Sequence, residues 1–175
     1  SAWAAVAVKD WLVKTKTPGT IRFYGTPAEE GGSGKVYMVR AGLFNDVDAV
    51  LHWHPGSSNT ANAESSNSNK SAKFRFSGVS AHAAGSPHKG RSALDGVEAM
   101  NMMVNMMREH IPQESRIHYV ITKGGLAPNV VPDAAEVYYY VRNPRREKVQ
   151  EIFDWVVKAS EGAALGTETT VTHEV

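Results

Sequence analysis

The spacing of hydrophobic positions changes along the chain and divides it into two parts. In the first part, apolar residues recur at helical spacing over residues 3–12, and a second helix is predicted at 34–41. Two short apolar runs, residues 20–24 and 47–53, each follow a helix. The first is short and rich in strand-forming residues, and the second is nearly continuous rather than alternating, which favours strands buried on both faces, as in a parallel sheet under helices.

A polar stretch at residues 57–71 follows the second run. It reads SSNTANAESSNSNKS and contains almost no large apolar side chain. Such a composition cannot bury enough surface to offset the entropy of ordering it, which is typical of a linker or mobile loop. We therefore predict two domains, residues 1–70 and residues 71–175.

Beyond the polar stretch, segments with the two-residue hydrophobic period of strands alternate with segments that have the 3.6-residue period of helices. Helices are predicted at residues 92–110 and 145–163, with Ser92 as a helix N-cap. Strands are predicted at residues 73–79, 117–122, 134–141 and 169–175. The resulting order, β-α-β-β-α-β, predicts a ferredoxin-like arrangement in which two helices cover one face of an antiparallel sheet.

Composition narrows the classes of function. The 19 basic and 18 acidic residues are scattered, so neither nucleic acid nor a membrane surface is an expected partner. No apolar run is long enough to span a membrane. The chain has no cysteine, which excludes disulfides and leaves His and carboxylates as metal ligands; a reducing cytoplasm fits this.

Adjacent carboxylates provide the first candidate chemistry. Glu29 and Glu30 follow the first apolar run in a turn flanked by Pro27 and by Gly31-Gly32. One carboxylate can hold a metal while its neighbour moves a proton, if the backbone aims both inward. The alternative is a solvated turn without a function. Sites in parallel sheets lie beyond the carboxyl ends of the strands, which is where this pair falls.

Histidines end the second apolar run. His52 and His54 are two residues apart, so on a strand they would point the same way, towards a shared cation. A pair with a purely structural role is the alternative.

Three further candidates lie in the second predicted domain. His82 lies in a loop of small residues, and Asn129 lies in a loop rich in Gly and Pro. Arg142 could hold a carboxylate through two parallel hydrogen bonds. Each of these three could equally be structural.

The predicted helix at residues 92–110 is rich in methionine and is most simply part of the core; its methionines are Met100, Met102, Met103, Met106 and Met107. The second apolar stripe of this helix is wide enough to suggest a partner surface.

These motifs resemble those of the dinuclear metallopeptidase and amidohydrolase family, which includes glutamate carboxypeptidase, aminoacylase and hippurate hydrolase. Residues 27–32 resemble the family's catalytic Glu-Glu, residues 80–84 its lid histidine, and residues 128–132 with Arg142 its substrate-clamping segment. Within the family, the segments most similar to members that act on p-aminobenzoyl-glutamate are 92–96, 108–111 and 138–142. The resemblance implies an α/β protein. It contains part of a three-layer αβα metallopeptidase domain and a complete ferredoxin-like βαββαβ lid and dimerisation domain.

The resemblance also implies roles in the catalytic domain. Glu29 would take a proton from the metal-bound water and pass it to the leaving amine. Glu30 would be a metal ligand, and His54, rather than His52, would be another. A full-length protomer would hold two divalent ions, zinc or manganese. Because the family's other ligands lie in segments that this chain does not contain, we expect the isolated chain to bind metal weakly and to lack activity.

In the lid, the resemblance implies that His82 and Asn129 steady the oxyanion or the substrate carboxylate, often in the active site of the other protomer. Arg142 would hold the free carboxylate of the substrate. The expected function is metal-dependent hydrolysis of the amide bond in p-aminobenzoyl-glutamate or a related N-acyl amino acid. The expected partner is an identical or related protomer, bound through the lid. The alternative is a non-catalytic lid and dimerisation module.

Overall fold

The computed structural model describes residues 1–61 and 65–175, which fall into two compact units, Ser1–Asn62 and Ala63–Val175. The N-terminal unit contains two helices, α1 (Ala2–Thr15) and α2 (Gly34–Arg40). The C-terminal unit contains, in chain order, β1 (Ser68–Ser77), α3 (Ala93–Met107), β2 (Arg116–Lys123), β3 (Ala134–Asn143), α4 (Arg146–Gly166) and β4 (Thr170–Glu174). Short 3-10 helices lie at Pro87–Lys89 and Arg108–His110.

The sheet of the C-terminal unit has the order β2-β3-β1-β4, and every pair of neighbours is antiparallel. The predicted β-α-β-β-α-β order is therefore confirmed. Burial alternates strictly along β3, as expected of a strand with one face on the core, and Val137, Tyr139 and Val141 are buried against the helices. The helices cover one face of the sheet and leave the other, which we call the outer face, open.

The core of this unit lies between the sheet and the two helices. Phe74 of β1 packs edge-on against Tyr139, and the Tyr139 hydroxyl donates to the side-chain oxygen of Asn101 on α3. Burial raises the pKa of Tyr139. Ser92 caps α3 as predicted, because its hydroxyl accepts from the amide of Asp95 at 3.1 Å. This cap satisfies one of the backbone amides that the first turn of a helix leaves without a partner.

The two strands predicted in the N-terminal unit are wrong. Residues 20–24 and 47–53 contain no strand, although both runs are apolar. A strand exists only when a neighbouring backbone accepts its hydrogen bonds, and the described residues 1–61 provide no such neighbour. None of these residues is buried either, and Leu51 is 95% and Trp53 71% exposed.

The polar stretch at residues 57–71 is only partly irregular. Its residues 62–64 lie outside the described part of the chain. Its last four residues belong to β1, where Ser68 pairs with Asn143 and Ser71 with Tyr140. The linker prediction is wrong for these four, because pairing with the well-packed strand β3 outweighs their low intrinsic strand propensity. No helix in the described residues is long and apolar enough to cross a membrane.

Candidate functional site

The Glu29-Glu30 pair lies in a tightly bent turn immediately before α2. The backbone is left-handed at Ala28 (φ 56°), Gly31 (φ 76°) and Ser33 (φ 50°). Two of these residues carry a side chain, and such a conformation is rare for them. Strained backbone of this kind clusters at functional sites, where the surrounding structure holds it in place.

The turn is closed by a backbone hydrogen bond from the amide of Gly34 to the carbonyl oxygen of Ala28, at 3.1 Å. A Cβ added at Gly34 would lie 2.1 Å from the carbonyl oxygen of Pro27. Only glycine therefore permits this closure. Both glutamates are exposed in the turn.

His54 has one ring nitrogen engaged and one free. Its Nδ1 lies 2.8 Å from the carbonyl oxygen of Pro55. A carbonyl oxygen only accepts, so Nδ1 carries the hydrogen, and in the neutral ring the lone pair is on Nε2. Metal-binding histidines commonly use one nitrogen for the ion and donate from the other to a backbone carbonyl, and His54 has this arrangement.

The described residues contain no cluster of three or more His, Asp or Glu side chains that could hold a metal ion. The donor types of Glu30 and His54, a carboxylate oxygen and an imidazole nitrogen, suit zinc or manganese. Two donors are fewer than either ion requires, so Glu30 and His54 by themselves cannot form a complete metal site.

His82 and Asn129 lie in loops that the fold pairs with each other. His82 forms an isolated antiparallel bridge with Val130, and the amide of Ala83 donates to the carbonyl oxygen of Asn129 at 3.0 Å. The amide of Val131 donates back to the carbonyl of Ala81 at 2.9 Å. The two loops thus extend the β1–β3 ladder past its regular end, and the main chain holds the two candidate residues next to each other.

The His82 ring is held in one orientation. Its Nδ1 accepts hydrogen bonds from the amide of Gly85 at 2.9 Å and from the amide of Ala84 at 3.2 Å. The neutral ring therefore carries its hydrogen on Nε2. Because His82 is not buried, this N–H is available to a developing negative charge, as an oxyanion donor requires.

Arg142 lies at the opposite end of β3 from Asn129, on the outer face of the sheet. The eight residue-to-residue steps from Ala134 to Arg142 correspond to about 27 Å of strand. Within one chain, a small molecule therefore cannot contact Arg142 together with His82 and Asn129. The three residues predicted to bind substrate fall into two separate groups in this chain.

The surroundings of Arg142 contain residues that the sequence analysis did not select. The guanidinium carbon of Arg142 lies 5.5 Å from the ring centroid of Tyr140, which packs edge-on against Tyr138 at 5.2 Å. Arg116 of β2 is the register partner of Arg142. The same period-2 alternation of β3 that buries Val137 and Tyr139 places Tyr138, Tyr140 and Arg142 together on the outer face.

The far end of the outer face is an ion-pair network. Arg75 contacts Glu136 at 2.7 Å and Glu174 at 2.8 Å, and the hydroxyl of Thr122 donates to Glu136 at 2.7 Å. The Thr122 hydrogen bond and the Arg75 guanidinium hold the pKa of Glu136 below its usual range.

A mostly apolar groove separates α3 from β2 at the edge of the sheet. Met102 and Met106 are 62% and 64% exposed, and Tyr119 and Ile121 of β2 lie alongside them. In contrast, Met100 and Met107 of the same helix are buried. The core prediction therefore holds for Met100 and Met107, whereas Met102, Met103 and Met106 form an exposed stripe on the surface.

Comparison with known proteins places this geometry in a family. Residues 65–168 match the M20 peptidase dimerisation domain. The chain is 54% identical to one of the two p-aminobenzoyl-glutamate hydrolase subunits of Escherichia coli, the one designated B, over 96% of this chain and 35% of that protein. It is 32% identical to the other of the two, designated A, over 86% of this chain and 37% of that protein.

A crystal structure of an aminobenzoyl-glutamate utilization protein from Klebsiella pneumoniae superposes with a TM-score of 0.62 at 28% identity, covering 85% of this chain and 39% of that one. The chain therefore spans little more than a third of the length of these relatives. The domain match includes β1, β2 and β3 of the sheet, both of its helices and the paired His82 and Asn129 loops. The chain belongs to the M20 family of peptidases and amidohydrolases.

Proposed function

We propose that the protein containing this chain hydrolyses the amide bond of p-aminobenzoyl-glutamate or a related N-acyl amino acid. The observation that carries the proposal is the 54% identity to one of the p-aminobenzoyl-glutamate hydrolase subunits, which extends over both units of the chain. The strained Glu29-Glu30 turn and the paired His82 and Asn129 loops supply residue types that this reaction needs.

Each of these residues has a proposed part in the reaction. The carboxylate of Glu29 accepts a proton from the attacking water and delivers it to the leaving amine. The Nε2–H of His82 and the side-chain amide of Asn129 donate to the carbonyl oxygen as it becomes negative. Arg142 holds the free carboxylate of the substrate through its planar guanidinium. Because Arg142 lies at the opposite end of β3 from His82 and Asn129, it acts together with these two residues of another protomer.

Glu30 and Nε2 of His54 are the proposed metal ligands within this chain. A divalent ion bound there would polarise the substrate carbonyl and make water easier to deprotonate at neutral pH. The exposed apolar side chains of the N-terminal unit, such as Leu51 and Trp53, are proposed to pack against the remainder of the catalytic domain.

The experiment distinguishes the role of Glu29 from that of Glu30. It uses a longer protein that contains this chain and the remaining catalytic segments. Glu29→Gln should abolish turnover of p-aminobenzoyl-glutamate while the protein retains its metal. Glu30→Gln should lower metal content as well. Full turnover by Glu29→Gln would contradict the proposal, and metal analysis of every variant controls for loss of the ion.

The C-terminal unit is also proposed to join two protomers, either identical or of two related kinds, through the edge of β2. Arg108 donates to the carbonyl oxygen of Ile117 at 2.6 Å, so this carbonyl points away from β3. Backbone groups of Tyr119 and Ile121 follow on the same side, because alternate residues of a strand face the same neighbour. Antiparallel pairing of two β2 edges would satisfy these groups and bring the two exposed methionine stripes together.

A further inference from the structure

The outer face of the sheet brings two arginines together. Arg116 and Arg142 are register partners on β2 and β3, so their side chains leave the same face from neighbouring strands. Like charges directly opposite each other destabilise a sheet unless something lies between them. In the part of the chain that the structure describes, no carboxylate oxygen lies within 4.0 Å of either guanidinium.

Among the described residues, the carboxylates on the outer face form ion pairs with Arg75 and not with Arg116 or Arg142. Glu136 and Glu174 both contact Arg75, which lies towards the other end of β1. The row that contains the two arginines continues on β1 with Asn69, the register partner of Arg142. One end of the outer face is therefore internally neutralised, and the other end is positively charged.

Both guanidinium groups are held in position with donors to spare. Arg142 lies against the Tyr140 ring, and its Nε is buried without a hydrogen-bond partner. Nη1 of Arg116 donates to the carbonyl oxygens of Gln113 and Ser115, each at 2.7 Å, which leaves its Nε and Nη2 without a partner in the described residues. A buried donor without an acceptor is rare in folded proteins, and an external acceptor would resolve it.

We propose that Arg116 and Arg142 together bind the two carboxylates of one dicarboxylic amino-acid moiety, such as a glutamyl or aspartyl group. Arg142 takes the α-carboxylate, and Arg116 takes the side-chain carboxylate. This deepens the proposed function and rests on it, since Arg116 becomes the residue that selects an acidic leaving group. Planar guanidinium groups match carboxylates in a bidentate manner, and the spacing of cross-strand partners, about 5 Å between Cβ atoms, suits a short dicarboxylate.

The test is calorimetric titration of the 175-residue chain with glutarate, butyrate and inorganic phosphate. Glutarate should bind at least about tenfold more tightly than butyrate, the discrimination that one added charged hydrogen bond provides. Arg116→Gln should remove this preference while leaving butyrate binding unchanged, and Arg142→Gln should weaken both. Arg146→Gln, which removes an exposed charge on α4 away from the outer face, is the matched control and should bind like the unmodified chain.

Several outcomes would overturn the proposal. These are equal affinity for glutarate and butyrate, an Arg116→Gln variant that still prefers glutarate, or phosphate binding as tightly as glutarate, which would indicate a general anion site. Arg116→Lys retains the charge without the planar fork and should recover only part of the preference. Circular dichroism of each variant confirms that a lost preference does not reflect unfolding.

Binding and turnover distinguish this proposal from the proposed function. In the longer protein, Arg116→Gln should lower kcat/KM for a glutamyl substrate at least about tenfold relative to an alanyl substrate. If turnover occurs but this ratio is unchanged, the arginine-pair proposal fails alone. If the chain prefers glutarate and the longer protein hydrolyses neither substrate, the proposed function fails alone.

Discussion

The amide of Ala83 donates to the carbonyl oxygen of Asn129 at 3.0 Å. This bond, together with the bridge between His82 and Val130, joins two loops that are far apart in the sequence. The loops follow β1 and precede β3, which are neighbours in the sheet, so the pairing continues the ladder beyond the strands. The positions of the two candidate oxyanion donors therefore depend on the sheet rather than on either loop alone.

Loss of the His82 side chain should affect the reaction and not the fold. In the longer protein, we expect His82→Ala to lower kcat by about 100- to 1,000-fold, the usual effect of removing one oxyanion donor. The ring is not buried and makes only local hydrogen bonds, so the melting temperature should change little. Steady-state kinetics and thermal melting measure the two effects.

His88 provides the control for this prediction. It is an exposed histidine in the same connection between β1 and α3. The variant His88→Ala should retain near-normal kcat. A similar loss in both variants would attribute the effect to the loop as a whole and contradict a specific role for His82.

Gly96 sets the distance between α3 and β1. A Cβ added at this position would lie 2.5 Å from Cδ1 of Phe76, which is fully packed in the core. We expect Gly96→Ala to destabilise the C-terminal unit by about 1–3 kcal/mol, the usual cost of overpacking. The intrinsic helix preference for alanine, about 1 kcal/mol, works in the opposite direction.

Denaturant unfolding monitored by circular dichroism measures this change. Gly162→Ala is the matched control, because Gly162 is exposed on α4 and an added Cβ would meet only the end of the Met103 side chain, at 3.8 Å. We expect the control to be neutral or slightly stabilising. If Gly96→Ala were as stable as the parent, α3 and β1 could move apart at little cost in free energy, and the prediction would be wrong.

Low pH should weaken the interactions of Glu136 with Arg75 and Thr122. The pKa of Glu136 is lower in the folded protein than its usual value because Thr122 and Arg75 favour the ionised form. Its stabilising contribution is therefore fully present above the unfolded-state pKa of about 4.3, and it is lost as the pH falls through the lower folded-state pKa. Melting temperature should fall less steeply below about pH 4.3 in Glu136→Gln than in the parent.

The comparison variant for acid unfolding is Glu161→Gln, which neutralises an exposed carboxylate on α4. It should retain the parent's pH dependence. Identical pH profiles for Glu136→Gln and the parent would contradict a role for the Thr122 and Arg75 contacts in acid stability.

The proposed interface between protomers predicts a change in oligomeric state. Met106→Glu places a charge in the exposed methionine stripe, and burying it between two protomers would be costly. We expect this variant to be monomeric in sedimentation velocity at concentrations where the parent forms a dimer. Leu126→Glu is the control, because Leu126 is 99% exposed in the loop between β2 and β3 and outside the groove. A dimeric Met106→Glu variant would contradict this interface.

Prediction from sequence succeeded where the local pattern of apolar and polar residues identifies a segment by itself. The four strands and two helices of the C-terminal unit were predicted to within a few residues, apart from the start of β1. Their amphipathic patterns are strong because each element has one face on the core. The Ser92 cap was equally predictable, since its hydroxyl and the Asp95 amide are three residues apart.

Prediction failed where local composition and tertiary pairing disagree. The runs at residues 20–24 and 47–53 have the composition of buried strands, yet they form none. Residues Ser68 to Ser71 have the composition of a linker, yet they form the first part of the ladder with β3. In each case, whether the segment forms a strand depended on whether a neighbouring backbone was there to pair with it.

The Glu29-Glu30 pair, the two loops and the element order of the C-terminal unit were determined by the sequence itself, because motifs and periodicity are local properties. Only the tertiary structure decided which distant residues are neighbours. It placed His82 beside Asn129, separated both from Arg142 by the length of β3, and set Arg116 opposite Arg142. Strand register fixes these relationships, and register depends on the packing of the whole sheet against its helices.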